Sequence, residues 1–164
     1  MNDRVDMGET SRDVVVEAAQ ANPDWHSEIM RWHDDWLQMA NGVIDHSVAL
    51  LRALRGKGVP VFALSNFGIQ TFDIALDVYP FLGEFDRSYI SGHMGVTKPS
   101  AEIYAMAEAD CGHPASALLF TDDRDDNIDA ARARNWHTHL FDGPTGWASR
   151  LVAEGLLTEE EAQP

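Results

Sequence analysis

Up to about residue 58 the hydrophobic residues recur at helical intervals; from Val59 onward they gather into short bursts separated by polar turns. Val59-Pro60-Val61-Phe62-Ala63-Leu64 is a continuous apolar run, the pattern of a strand buried on both faces. Ser88-Tyr89-Ile90, Ala117-Leu118-Leu119-Phe120 and His137-Thr138-His139-Leu140-Phe141 are further strand candidates. Helical stretches are predicted between them at about 70–78, 99–109 and 127–134, and a last helix starts at Thr145-Gly146-Trp147. Pro99 suits the first turn of its helix and Gly112 its end.

The earlier part reads differently. Ser11 is placed to cap a helix over 13–21, which Asn22-Pro23 stops. A second helix is predicted from near Asp24, with Trp25, Ile29, Trp32 and Trp36 on one face at spacings of four, three and four. A third, over about 47–54, turns Val48, Leu51 and Leu54 inward and ends at Gly56 and Gly58. Val14-Val15-Val16 is β-branched, but the Glu17-Ala18-Ala19 that follows favours helix. Strands alternating with helices imply an α/β fold, a three-layer Rossmann-like parallel sheet with helices on both faces. Ligands of such sheets bind beyond the carboxyl ends of the strands, where Ser65 and Asp122 stand.

Composition narrows the partners. A chain of 164 residues, 45% hydrophobic, can bury a core without staples. A net charge of −15 repels nucleic acid and anionic membrane, so neither is expected as a partner. No apolar run is long enough for a membrane span, and Met1-Asn2-Asp3-Arg4 opens a polar stretch. One cysteine, Cys111, suits a reducing compartment, and a cytoplasmic location is expected. The same acidity repels a phosphorylated substrate, so a phosphate site must supply its own positive charge. Only Lys57 and Lys98 are lysines, and Lys57 falls in a glycine-flanked turn.

Three stretches carry the chemistry. Asp122-Asp123 abuts an apolar run, and Asp125-Asp126 follows within a turn; such crowding is unfavourable without a cation, and hard oxygen donors suit Mg²⁺. Asp125 and Asp126 alone also fit an acidic helix start. Lys98, at a loop–helix junction, can neutralise a phosphate and a nearby carboxylate together. Ser65-Asn66 offers a hydroxyl, an amide and backbone N–H groups at a strand end. Trp25, Trp32 and Trp36 could line a substrate pocket, although their spacing favours helix packing. The seven histidines lack ligand spacing, and Cys111 lacks an activating base.

In these motifs the chain resembles the haloacid dehalogenase superfamily. Ser65 in Ala-Leu-Ser-Asn-Phe resembles the family's second motif, Lys98-Pro99 with Ile103-Tyr104 the third, and Asp122-Asp123 with Asn127 the fourth. The likeness is close from about Asn41 to Asp142 and looser through the preceding helices. It implies a helical cap remnant over residues 1–44 and an α/β core over 45–164. Paired aspartates in the fourth motif are similar to those of magnesium-dependent phosphatases and argue against a dehalogenase. The resemblance implies that Asp122 and Asp123 hold the metal, that Ser65, Asn66 and Lys98 bind phosphate, with Ser65 and Lys98 in catalytic roles, and that Asn127 supports them. A small phosphorylated substrate and Mg²⁺ as cofactor follow from it.

The family's first motif, a strand ending in the nucleophilic aspartate that takes up the phosphoryl group, has no match. Asp6-Met7-Gly8-Glu9-Thr10 has the letters, but only Arg4-Val5 precedes Asp6, so no buried strand presents it. The expectations are therefore a core lacking its first strand, a gap that some other segment or a second copy of the chain must fill, and a chain cut short and inactive by itself. Its alternative is a non-catalytic relative acting as a binding protein.

Overall fold

The computed structural model describes residues 1–40 and 42–164; Asn41, where the close resemblance was expected to begin, lies outside the described residues. The helices are α1 (Asn2–Asp6), α2 (Ser11–Ala21), α3 (His26–Asp34), α4 (Trp36–Met39), α5 (Asp45–Gly56), α6 (Ile69–Val78), α7 (Ser91–Met94), α8 (Ala101–Cys111), α9 (Asp125–Arg132) and α10 (Pro144–Ala153). The strands are β1 (Phe62–Ser65), β2 (Arg87–Ile90), β3 (Leu119–Asp122) and β4 (His137–Leu140). All four predicted strands are present, within a few residues of their expected bounds. They pair in two two-stranded sheets, β1 with β2 and β3 with β4. β3 and β4 run parallel, with Leu119 opposite His137 and Asp122 opposite Leu140.

The chain forms two compact units. The first comprises Met1–Gly42, Ala63–Gly83 and Ser88–Thr97; the second comprises Val43–Phe62, Glu84–Arg87 and Lys98–Pro164. In the first unit, Val14-Val15-Val16 is helical within α2, as the following alanines require, with Val14 and Val15 buried. Ser11 is not the cap of that helix but its first residue. It is fully buried, its N–H donates to Gln70 Oε1 at 3.1 Å, and its hydroxyl pairs with His33 Nδ1 at 2.9 Å. The predicted tryptophan face is interrupted, because α3 ends at Asp34 and α4 starts at Trp36; Trp25 is left 65% exposed.

Two short helices have no sequence forecast, and they lock together. Gly8 has φ +101°, and a Cβ there would lie 2.5 Å from the Gly92 carbonyl oxygen. A Cβ on Gly68 would collide with Val5 Cγ1. The chain around α1 thus sits directly against both the loop after β1 and the start of α7, at distances only glycine permits.

In the second unit, α5 and α10 close a core of Leu50, Leu54, Ala148, Leu151 and Leu157. Leu119 at the start of β3 packs on that core, so the helices support the strand that ends at Asp122. α8 starts at Ala101, slightly later than predicted. Pro99, expected in the first turn, lies just before the helix, and Ser100 is the N-cap, its hydroxyl accepting from Glu102 N–H at 3.4 Å. Gly112 ends it in the left-handed conformation, as expected. Leu151 is 1% exposed. Leu151→Ala should lower the unfolding free energy by about 2–5 kcal/mol, seen as a lower urea midpoint; a loss below about 0.5 kcal/mol would show that this cluster is not a packed core.

Candidate functional site

The second unit assembles four of the residues singled out in the sequence. Asp122 ends β3, Asn127 lies in the first turn of α9, and Lys98 precedes α8. Lys98 Nζ donates to Asp122 Oδ2 at 2.6 Å, with the two side chains only 9% and 6% exposed. On the other carboxylate oxygen, Oδ1 accepts from Arg124 N–H at 3.0 Å and from Asn127 Nδ2 at 2.9 Å. Lys98 is therefore no surface lysine; Lys57 is one, paired with Glu161 at 2.8 Å. The ammonium also lies 5.4 Å from the centre of the Phe120 ring.

Asp123 is placed differently. It is exposed, beside a carboxylate whose two oxygens are already taken. Asn127 Oδ1 and Thr121 Oγ1 are buried without hydrogen-bond partners. Among the described residues no three acidic, histidine or cysteine side chains are grouped as a metal cage. Mg²⁺ does not need one, since it keeps several waters and takes one or two carboxylates together with substrate phosphate. The open carboxylate of Asp123 fits such a hard cation.

The frame behind the pair is aromatic. Tyr104, fully buried on α8, donates its hydroxyl to the Asn127 carbonyl at 2.9 Å. Burial, reinforced by the charges of Asp122 and Asp126, pushes the phenol well above its ordinary range, so it remains a donor. Its ring packs edge-on against Phe120 and Trp136 at 5.9 and 5.5 Å. Trp136 Nε1 donates to Glu108 at 2.6 Å, and Arg134 grips the same carboxylate with bonds of 2.8 and 2.6 Å. These hydrogen bonds, that to Arg134 above all, hold the Glu108 carboxyl below its usual range. The sequence reading passed over Glu108, Arg134 and Trp136. Their only local signal is an acid on the predicted helix 99–109, a cation at the end of the predicted helix 127–134 and an indole just after it.

Ser65, Asn66 and Asp6 belong to the first unit. Ser65 ends β1, and Asn66 opens the loop to α6. That loop is fixed: Phe67 N–H donates to Ser91 Oγ at 2.9 Å, and its carbonyl accepts from Gly92 N–H at 3.0 Å. Asp6 ends a helix rather than a strand, as its context foretold. It nonetheless lines a cavity of about 200 Å³ together with Trp32, Trp36, Asn66, Phe67 and Thr71.

A parallel strand ending in a buried, lysine-bound aspartate agrees with what known families contain. The family model for haloacid dehalogenase-like hydrolases matches residues 7–134, and the chain belongs to that family. It is similar to the sesquiterpene phosphatase astK of Aspergillus oryzae, 31% identical over 85 residues, which is 52% of this chain and 43% of that protein. The chain spans no more than 55% of the length of the curated relatives it matches. Its fold is that of a HAD-like family hydrolase from Porphyromonas gingivalis, with TM-score 0.74 at 20% identity over 92% of this chain and 76% of that one. A HAD family enzyme of Bacteroides thetaiotaomicron, an Asp-to-Ala mutant solved with magnesium and inorganic phosphate, aligns with TM-score 0.51 at 20% identity, over 68% of this chain and 66% of that one.

Two measurements test the frame. Lys98→Ala strands a buried carboxylate and should cost about 3–5 kcal/mol of stability, most of which Lys98→Met combined with Asp122→Asn restores; an undiminished midpoint in Lys98→Ala would mean the pair is solvated. Glu108→Gln should cost about 1–3 kcal/mol near pH 7. Because the folded carboxyl is depressed, that difference is complete above the unfolded value of about 4.3 and disappears as pH falls through the lower folded value. A difference that persisted at still lower pH would contradict the ion-paired role.

Proposed function

We propose that this chain handles phosphate and Mg²⁺ for a phosphatase-type hydrolase. The carrying observation is the dry Lys98–Asp122 pair at the end of β3, with Asp123 left open beside it. The Lys98 ammonium offers phosphate a buried cationic donor; because Asp122 balances its charge, the further positive charge that a chain of net charge −15 needs to admit phosphate would come from the bound cation. The phosphatase activity of the Aspergillus relative and the magnesium and phosphate in the Bacteroides structure support this reading.

In this proposal Lys98 binds a phosphoryl oxygen and fixes Asp122. Asp122, fully engaged, orients Lys98 and Asn127 rather than reacting. Asp123 holds the cation through its open carboxylate. When bound, Mg²⁺ supplies charge neutralisation to the phosphoryl group. Ser65 and Asn66 offer the hydroxyl, amide and loop N–H groups of a second phosphate cradle. None of these is an in-line nucleophile. No strand precedes β1 among the described residues, so none presents an aspartate there. The described residues thus bind and orient phosphate without attacking it, and a small phosphate monoester is the substrate class.

Titration with Mg²⁺ and inorganic phosphate should show magnesium-dependent phosphate binding, weakened about tenfold or more by Asp123→Asn. The chain should not hydrolyse p-nitrophenyl phosphate. Magnesium-dependent turnover abolished by Asp6→Asn would overturn the assignment and make Asp6 the attacking group. Phosphate binding indifferent to both Mg²⁺ and Asp123 would remove the metal from the proposal.

A further inference from the structure

The cavity of the first unit has walls that are built in advance. Trp36 packs on Phe67 with ring centroids 5.4 Å apart, and Phe67 packs edge-on against Phe72 at 5.5 Å. Trp32 and the half-buried Asp6 complete the lining. Among the described residues no ion pair or hydrogen bond reaches the Asp6 carboxylate. Arg4 does not neutralise it. That guanidinium is engaged by Glu9 at 2.7 Å and by Glu17 at 2.9 Å. Burial, with a contribution from the charge of Asp3, raises the Asp6 carboxyl above its ordinary range, which marks it as a partly desolvated group.

A carboxylate without a partner, next to two indoles, selects its ligand by charge. An anion is repelled by Asp6 and Asp3. A neutral ligand leaves the carboxylate uncompensated in a half-dry place. A small organic cation satisfies both requirements, since it pairs with the carboxylate and is attracted to tryptophan. Size limits it as well: at about 30 Å³ per water-sized group, the space of about 200 Å³ admits roughly seven non-hydrogen atoms.

We propose that the cavity walled by Asp6, Trp32 and Trp36 binds a compact organic cation, a quaternary or protonated amine. Asn66 lies in the same cavity and directly follows Ser65, so a phosphate held on the Ser65–Asn66 loop would present its leaving group to the amine site. That assignment to the leaving group rests on the phosphatase reading above; the cation site itself does not.

Saturation-transfer NMR on the full chain with choline and its neutral isostere 3,3-dimethylbutan-1-ol, in one sample, separates charge from shape. Choline should bind at least about tenfold more tightly. Asp6→Asn should abolish that preference while leaving the weak binding of the isostere unchanged, and Trp32→Leu should weaken choline. Should Asp6→Asn fail to fold by circular dichroism, Asp6→Glu keeps the charge and the preference, and Trp32→Leu still loses it. Equal binding of the two probes, a preference that survives in folded Asp6→Asn, or no binding of either would overturn the proposal. Phosphate binding with Mg²⁺ is read in the same samples. Its loss alongside retained choline preference overturns the phosphatase reading and leaves the cation site standing; the converse overturns the cation site alone.

Discussion

A lysine and an aspartate share a nearly dry place at the end of β3, and the surrounding elements are arranged so that neither is left unpaired. Burying two charges costs several kcal/mol each unless geometry and further hydrogen bonds repay it. Here the repayment is visible: three donors reach the Asp122 carboxylate, and an aromatic ring lies beside the ammonium. α9 must begin where it does for Arg124 and Asn127 to supply two of those donors. α8 must lie where it does for Tyr104 to fasten Asn127. The leucine core of α5 and α10 in turn fixes the strand from below through Leu119.

The same chain uses its few cations with economy. Lys57 and most of the arginines sit in exposed ion pairs, where each contributes little. Lys98 is spent where water is excluded and a charge acts over a longer range. In a protein of net charge −15 this places one cation where water does not screen it, its charge balanced by Asp122.

What could be read in advance follows physical rules. The strands were legible because a short apolar run bounded by turn residues has few other uses, and β3 and β4 fall where their runs predicted. Lys98, Asp122 and Asn127 were legible as a motif, and their meeting needed the structure only for distances. α1 and α7, of five and four residues, are too short for any period to show. Ser11 looked like a cap because caps and buried hydroxyls share the same letter; its partner His33 lies 22 residues away. That Asp6 and Asn66 line one cavity was invisible for the same reason, since their segments lie far apart in the chain with no local signature. Glu108, Arg134 and Trp136 form a bond set that only tertiary packing brings together.

The two glycines that seat α1 bear on how such a chain can change. At Gly8 and Gly68 the fold depends on what the residue lacks. A single methyl group at either would push Val5 or the Gly92 carbonyl away, and the shift would pass into the loop that carries Asn66. What these two positions restrict is volume rather than reactivity. Substitutions in α3 and α4 can therefore alter the wall of the neighbouring cavity, while the seat beside it admits almost no added volume.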